Sequence, residues 1–163
     1  MSKTMIFLMI LAIFSSNNRN RESLDHNNKY SIYELIKNDL LKSSSFLEYK
    51  KANNITCNNL KFSKWDQSFC YFNNTFNNSI PDNGLKFCDE NQKEFSQKKI
   101  KGINKLNDSG ESCFLVSFTD IVEDMLIVEI NTKKNPNKGL LILYDINEKE
   151  SKVRQVNYTE MLR

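Results

Sequence analysis

Histidine is nearly absent from this sequence, since His26 is the single example in 163 residues. Triads that activate serine or cysteine require a positioned imidazole, and catalytic zinc is held largely by histidine. The four glycines are too few to build the glycine-rich loop that cradles phosphate groups. These absences favour a protein that is not an enzyme and that holds no metal and no cofactor, although the sequence leaves enzymatic activity open.

Carboxylates are the catalytic residue type that is well represented, and a glycosidase needs only two of them at a suitable spacing. Asp120, Glu123 and Asp124 cluster between two apolar segments. The alternating oxygen ligands of known calcium loops are missing from this cluster. We interpret the three acids as part of a solvated turn, with catalysis by them as the alternative.

A membrane-spanning run is also missing, because the longest uncharged apolar stretch covers only residues 5–14 and a spanning helix needs about 20 residues. This stretch follows Lys3 and precedes two serines, an order typical of a secretory signal peptide. We predict a signal peptide over residues 1–16, a flexible N-terminal segment over 17–29 and a single domain over 30–163. Secretion is the expected destination, and the endolysosomal lumen is the alternative.

A strong excess of charge of one sign is absent as well. The formal net charge is +3, from 23 basic and 20 acidic residues. Such a small and dispersed excess does not indicate a nucleic-acid partner. For a secreted protein we instead expect an extracellular or cell-surface protein or glycan as partner, whose identity the sequence leaves open.

Cysteine is present in an even number. Four cysteines in a secreted chain indicate two disulfides, and three pairings are possible. No two of them have the close spacing of a zinc site. The pairing that closes the shorter loops, Cys57–Cys70 with Cys88–Cys113, is the one we favour, without excluding the others. The predicted disulfide residues are Cys57, Cys70, Cys88 and Cys113.

Asparagine is abundant, and five asparagines stand in the Asn-x-Ser/Thr sequence that accepts N-linked glycans in secreted proteins. Asn73 and Asn77 belong to a polar stretch that is typical of a surface loop, so they are the favoured sites. Asn157 lies in a predicted strand and is a weaker candidate. The predicted acceptors are Asn54, Asn73, Asn77, Asn107 and Asn157.

Helical periodicity appears early in the predicted domain. Apolar residues recur at positions 32, 35, 36 and 40, which predicts a helix over residues 31–42 opened by a capping box of Ser31 and Glu34. Ser45 and Glu48 repeat the capping pattern and predict a second helix that ends near Asn53.

The remainder of the chain indicates strands joined by turns. Pro81-Asp82-Asn83-Gly84 has turn chemistry, and short polar links between the last four apolar segments indicate an antiparallel meander. The last of these segments is polar, as edge strands often are. Strands are predicted over residues 61–65, 68–72, 85–88, 113–118, 125–130, 140–144 and 152–158.

The sequence therefore predicts an α+β fold in which an N-terminal helix packs on a disulfide-bonded antiparallel β-meander. The functional hypothesis is a secreted, N-glycosylated binding or recognition protein without catalytic activity. Two alternatives stay open. One is a small secreted hydrolase or hydrolase inhibitor, and the other is a carrier that holds an apolar ligand between the helix and the sheet.

Overall fold

The computed structural model describes residues 32–64, 69–76, 78–91 and 103–162. The predicted signal peptide and the predicted flexible segment lie outside this part, as does His26. Helix α1 covers residues 32–40, in agreement with the predicted first helix. The other helical elements are α2 over Ser44–Ala52, a 3-10 helix over Phe69–Thr75, α3 over Asp82–Asn91 and a second 3-10 helix over Ile103–Leu106.

Five strands form one sheet in the order β1-β2-β3-β4-β5. The strands β2 to β5 are antiparallel to their neighbours, which confirms the predicted meander and α+β class. At the other edge β1 runs parallel to β2, as a long connection between two strands permits. The strands are β1 Leu60–Lys64, β2 Phe114–Phe118, β3 Met125–Thr132, β4 Lys138–Asn147 and β5 Lys152–Leu162.

The first face of the sheet is covered by α1 and α2. Ile36 and Leu40 of α1 and Phe46 of α2 are fully buried in one cluster with the inward side chains of β2, β3 and β4. The ring of Phe46 meets that of Phe114 at 4.9 Å between centroids. The packing of the N-terminal helix on the sheet is therefore as expected, and α2 extends the same layer.

The second face of the sheet is covered by the 3-10 helix Phe69–Thr75 and by α3. Phe69, Phe72 and Phe76 are buried against Ile127 and Leu143. The strand predicted over residues 68–72 is therefore wrong. Side chains three residues apart stand on one side of a 3-10 helix, so the spacing of Phe69 and Phe72 fits this helix and not a strand.

Helix α3 corrects two further predictions, the turn over residues 81–84 and the strand over 85–88. The Pro81 carbonyl accepts from the N–H groups of Gly84 and Leu85, so the turn-forming residues begin a helix. Gly84 and Cys88 are buried four residues apart. A Cβ on Gly84 would lie 3.0 Å from Ile80 Cγ2, which is why the helix carries glycine at this close approach.

The N-cap of helix α2 lies two residues before the predicted one. Ser43 is the N-cap, and its hydroxyl accepts from the N–H of Phe46. Ser45, the predicted cap, is buried, and its hydroxyl donates to Gln155 Oε1 at 2.9 Å. Both Ser43 and Ser45 are residue types that cap helices. In the structure the helix starts at Ser44, and Phe46 and Tyr49 are then buried against the sheet.

Candidate functional site

Strand β5 is one of the two edge strands of the sheet in the described part of the chain, and successive side chains along it face opposite layers. Tyr158 stands opposite Ile142, whose side chain belongs to the first face, whereas Asn157 stands opposite Leu143 of the second face. Few side chains of β5 are buried, as predicted for an edge strand. The strand therefore offers functional groups to solvent on both faces of the sheet.

A β-bulge interrupts this strand at Val156. The register passes from Leu143 opposite Asn157 to Tyr144 opposite Gln155, which leaves Val156 as the extra residue. A bulge re-aims the neighbouring side chains and strengthens the local twist. Here it places Val156 at a groove between β5 and the end of α1, a feature that strand periodicity alone does not predict.

This feature, which we call the β5 groove, is open to solvent and has a volume of about 410 Å³. One wall is formed where α1 passes into α2, and the other is formed by β5. Its lining is mostly polar. The residues that line it are Asp39, Ser43, Ser44, Gln155, Val156, Asn157 and Tyr158.

Hydrogen bonds join the helical wall of the groove to β4 and to β5. The buried hydroxyl of Tyr144 donates to Asp39 Oδ2 at 3.0 Å, and Ser45 donates to Gln155 as described above. Burial, with the negative charge of Asp39 nearby, raises the pKa of the Tyr144 hydroxyl, so that it stays a donor. Both bonds connect residues more than one hundred positions apart and hold the groove in one shape.

Exposed apolar side chains surround the groove. Val156 and Tyr158 line it and are 37% and 44% exposed. Leu47, 49% exposed, lies one helical turn from the lining residue Ser44. The Tyr158 hydroxyl donates to Glu48 Oε2 at 3.4 Å. A partly exposed tyrosine with a polar tip and an apolar ring is a common anchor in protein interfaces, so this arrangement is suited to recognition.

The acidic cluster lies elsewhere and serves the fold. Val122 and Met125 exchange both backbone hydrogen bonds, and Glu123 and Asp124 between them have positive φ, as in a two-residue hairpin turn. Asp120 Oδ1 accepts from the N–H of Phe69 at the start of the 3-10 helix, at 2.8 Å. The cluster is the turn that the sequence predicts, with Asp120 as a fixed acceptor within it.

The disulfides correct the favoured cysteine pairing. Cys57 is bonded to Cys113, with Cα atoms 6.3 Å apart, and Cys70 is bonded to Cys88, with Cα atoms 5.1 Å apart. Because β1 and β2 are parallel, the residues that precede them meet at one end of the sheet, and the first disulfide joins them there. The second disulfide ties the 3-10 helix to α3. The preference for the pairing that closes the shorter loops was therefore wrong.

Three of the sequon asparagines are described with their side chains. Asn54 follows α2, is exposed and has a positive φ of 53°. Asn107 is half-buried, and its Oδ1 accepts from the N–H of Phe62 at 2.7 Å. Asn157 is exposed on β5, and its Nδ2 donates to Ser79 Oγ at 2.9 Å. Of the two remaining sequon asparagines, Asn73 has its backbone in the 3-10 helix, and Asn77 lies outside the described residues.

The described ranges contain neither a metal-binding cluster nor a membrane-spanning helix. No three His, Cys, Asp or Glu side chains there are grouped so as to hold a metal ion. None of the helices described above is both long enough and apolar enough to span a bilayer. Comparison with protein-family models, with curated proteins and with solved structures finds no match to this chain.

Proposed function

We propose that the protein is exported, disulfide-bonded and N-glycosylated, and that it binds an extracellular or cell-surface protein or glycan at the β5 groove without catalysing a reaction. The observation that carries the proposal is the exposure of Val156 and Tyr158 in a groove whose helical wall is joined to β4 and β5 by partly buried hydrogen bonds. Groups that intramolecular hydrogen bonds already position lose less conformational entropy when they bind a partner.

The two disulfides support export. Cys57–Cys113 joins segments 56 positions apart, and Cys70–Cys88 joins two helical elements on the second face of the sheet. Structural disulfides persist in oxidising compartments and are rare in the cytosol. No observation favours the alternative functions to the same degree. The acids of the hydrolase hypothesis are engaged in a turn, and buried aromatic side chains pack between the helices and the sheet, where the carrier hypothesis places its ligand.

The export and modification part of the proposal is tested by the mass of the full chain expressed in a eukaryotic secretory host. We expect a product in the medium that lacks about 16 N-terminal residues, carries glycans and weighs four protons less than the fully reduced form. A full-length product with four free thiols and no glycan contradicts the proposal.

The binding part is tested by affinity capture from extracellular fluid with matched variants. Tyr158→Ala removes the ring that lines the groove, and we expect a captured partner to be weakened by about tenfold or more, as for an interface anchor. Tyr71→Ala is the control, because Tyr71 is 67% exposed on the 3-10 helix that covers the opposite face of the sheet. Equal capture by the wild type and both variants contradicts recognition at the β5 groove.

A further inference from the structure

Strand β5 leaves a long edge of the sheet unpaired within the described part of the chain. It contains 11 residues and has β4 as its single neighbouring strand there. An unpaired edge of this length is a template for pairing with the edge of another molecule, and proteins blunt such edges with charges, bulges or covering groups. The two halves of β5 differ in how far they are blunted.

The first half of β5 is protected by its own sequence. Lys152 and Arg154 are exposed, and the bulge at Val156 interrupts the regular edge. The second half, from Asn157 to Leu162, has one charged residue, Glu160, and two exposed apolar side chains. Tyr158 is 44% exposed and Leu162 is 78% exposed. The second half, which has a single charge and no bulge, is therefore the half that is open to pairing with a second copy.

The sequon Asn157-Tyr158-Thr159 stands where this second half begins. The amide of Asn157 is exposed, with Nδ2 donating to Ser79 Oγ and Oδ1 accepting from the N–H of Tyr158 at 2.8 Å. An N-linked amide keeps one of its two hydrogens, so the bond to Ser79 is compatible with a glycan. Asn157 lines the β5 groove, but its Nδ2 is turned to Ser79 beside the second face, so a glycan on this nitrogen leaves the strand on the side opposite Tyr158.

We propose that Asn157 carries an N-linked glycan and that this glycan covers the open half of β5, preventing edge-to-edge association of two copies. The inference rests on the proposed export. A polyprenyl-diphosphate-linked oligosaccharide is the donor in the secretory pathway. The bond from its anomeric carbon to Nδ2 forms, the bond from that carbon to the diphosphate oxygen breaks, the lipid diphosphate leaves, and one amide proton is released.

The test compares two substitutions at Thr159 in the full chain secreted from a eukaryotic host. Thr159→Val removes the sequon with little change in volume, and Thr159→Ser retains it. We expect glycopeptide mass spectrometry to find Asn157 occupied in the wild type and in T159S. We expect light scattering to find T159V dimerising at a concentration at least about tenfold lower, equivalent to about 1.4 kcal/mol.

Two further variants keep the test decisive. Asn157→Gln removes the glycan while leaving Thr159 in place, and it replaces T159V if that variant does not fold. Leu162→Lys in the T159V protein adds a charge to the open half of the edge, and we expect it to restore the monomer. A dimer that persists with L162K shows that association uses another surface and overturns the assignment to the edge.

The failure of this inference is distinguishable from failure of the proposed export. An unoccupied Asn157 in a chain that carries a glycan at Asn54 overturns the inference and leaves export intact. A full-length chain with four free thiols and no glycan at any sequon overturns both, whereas a processed, disulfide-bonded chain without glycans overturns the inference alone. An occupied Asn157 whose loss leaves the protein as monomeric as the wild type overturns the protective role of the glycan.

Discussion

Lys37 joins α1 to the segment that precedes β2. Its Nζ donates to the carbonyl of Leu106 at 2.5 Å and to Asp108 Oδ1 at 2.6 Å, while Asp108 Oδ2 accepts from the N–H of Leu60. Partial burial opposes ionisation of Asp108, but the hydrogen bonds from Lys37 and Leu60 and the charge of Lys37 outweigh it. The pKa of the Asp108 carboxyl therefore lies below its usual value.

Asp108→Asn tests this contact, because it keeps the shape, removes the charge and leaves one acceptor oxygen for the two donors, Lys37 Nζ and the N–H of Leu60. A carboxyl whose pKa is lower in the folded state stabilises the protein above the unfolded pKa, near 4, and loses this contribution as the pH falls through the folded value. We expect the free energy of unfolding to fall by about 1–2 kcal/mol at pH 7, with a smaller difference at low pH, measured by denaturant titration.

A matched control is Asp145→Asn, because Asp145 forms a more exposed ion pair with Arg154. We expect this variant to lose about 0.5 kcal/mol or less, as exposed pairs do. If Asp108→Asn is destabilised equally at low and neutral pH, the charge of Asp108 is not the source of its contribution.

At the scale of elements, the two disulfides stabilise different parts of the molecule. Cys57–Cys113 joins the starts of β1 and β2 across 56 positions, whereas Cys70–Cys88 joins the 3-10 helix to α3 across 18 positions. Chain entropy alone gives about 4 and about 3 kcal/mol for loops of these lengths. The two disulfides therefore contribute similar stabilisation energies, but they stabilise different parts of the molecule, one at the end of the sheet and the other between the two helices on its second face.

Peptide mapping without reduction is the first check, and it should recover Cys57 with Cys113 and Cys70 with Cys88. Replacement of Cys70 and Cys88 by alanine should then raise hydrogen exchange in α3 and in the 3-10 helix Phe69–Thr75, with little change in α1, because α1 packs on the opposite face. A uniform increase over both faces, or a peptide linking Cys57 to Cys70, contradicts this assignment.

For the whole molecule, burial of tyrosine makes stability sensitive to alkaline pH. Burial raises the pKa of Tyr33 to about 12, with the charge of Asp120 adding to the effect, and it raises the pKa of Tyr49 to about 12. The pKa of Tyr144 is raised as well. Above pH 10 the unfolded chain releases phenolic protons that the folded protein retains, so stability falls as the pH rises.

We expect three of the six tyrosines to ionise only when the fold is lost, and each lowers stability by up to about 1.4 kcal/mol per pH unit between the unfolded and folded pKa values. Near-ultraviolet absorbance of phenolate, followed together with circular dichroism, measures this. Tyr144→Phe should reduce the absorbance change that accompanies unfolding. Ionisation of all tyrosines in a protein that keeps its native circular dichroism contradicts the expectation.

Local pattern was a good guide where segments are long and strongly periodic. The apolar spacing of residues 32–40 indicates α1, and the runs inside β3 and β4 are too apolar for a solvated strand, as their burial confirms. The local pattern gave wrong strand predictions over residues 68–72 and 85–88, because apolar runs of four or five residues fit a strand and a helix equally well. Burial of Phe69, Phe72 and Cys88 beneath the second face resolved that ambiguity.

The sequence by itself determined the α+β class, the antiparallel order of β2 to β5 and the polar edge strand, because periodicity and short links act between near neighbours. Tertiary structure alone decided the parallel β1, the cysteine pairing and the β5 groove. Each depends on residues far apart in the chain, such as Ser45 and Gln155, 110 positions apart. Such contacts leave no local pattern, since their geometry exists only after the layers have packed.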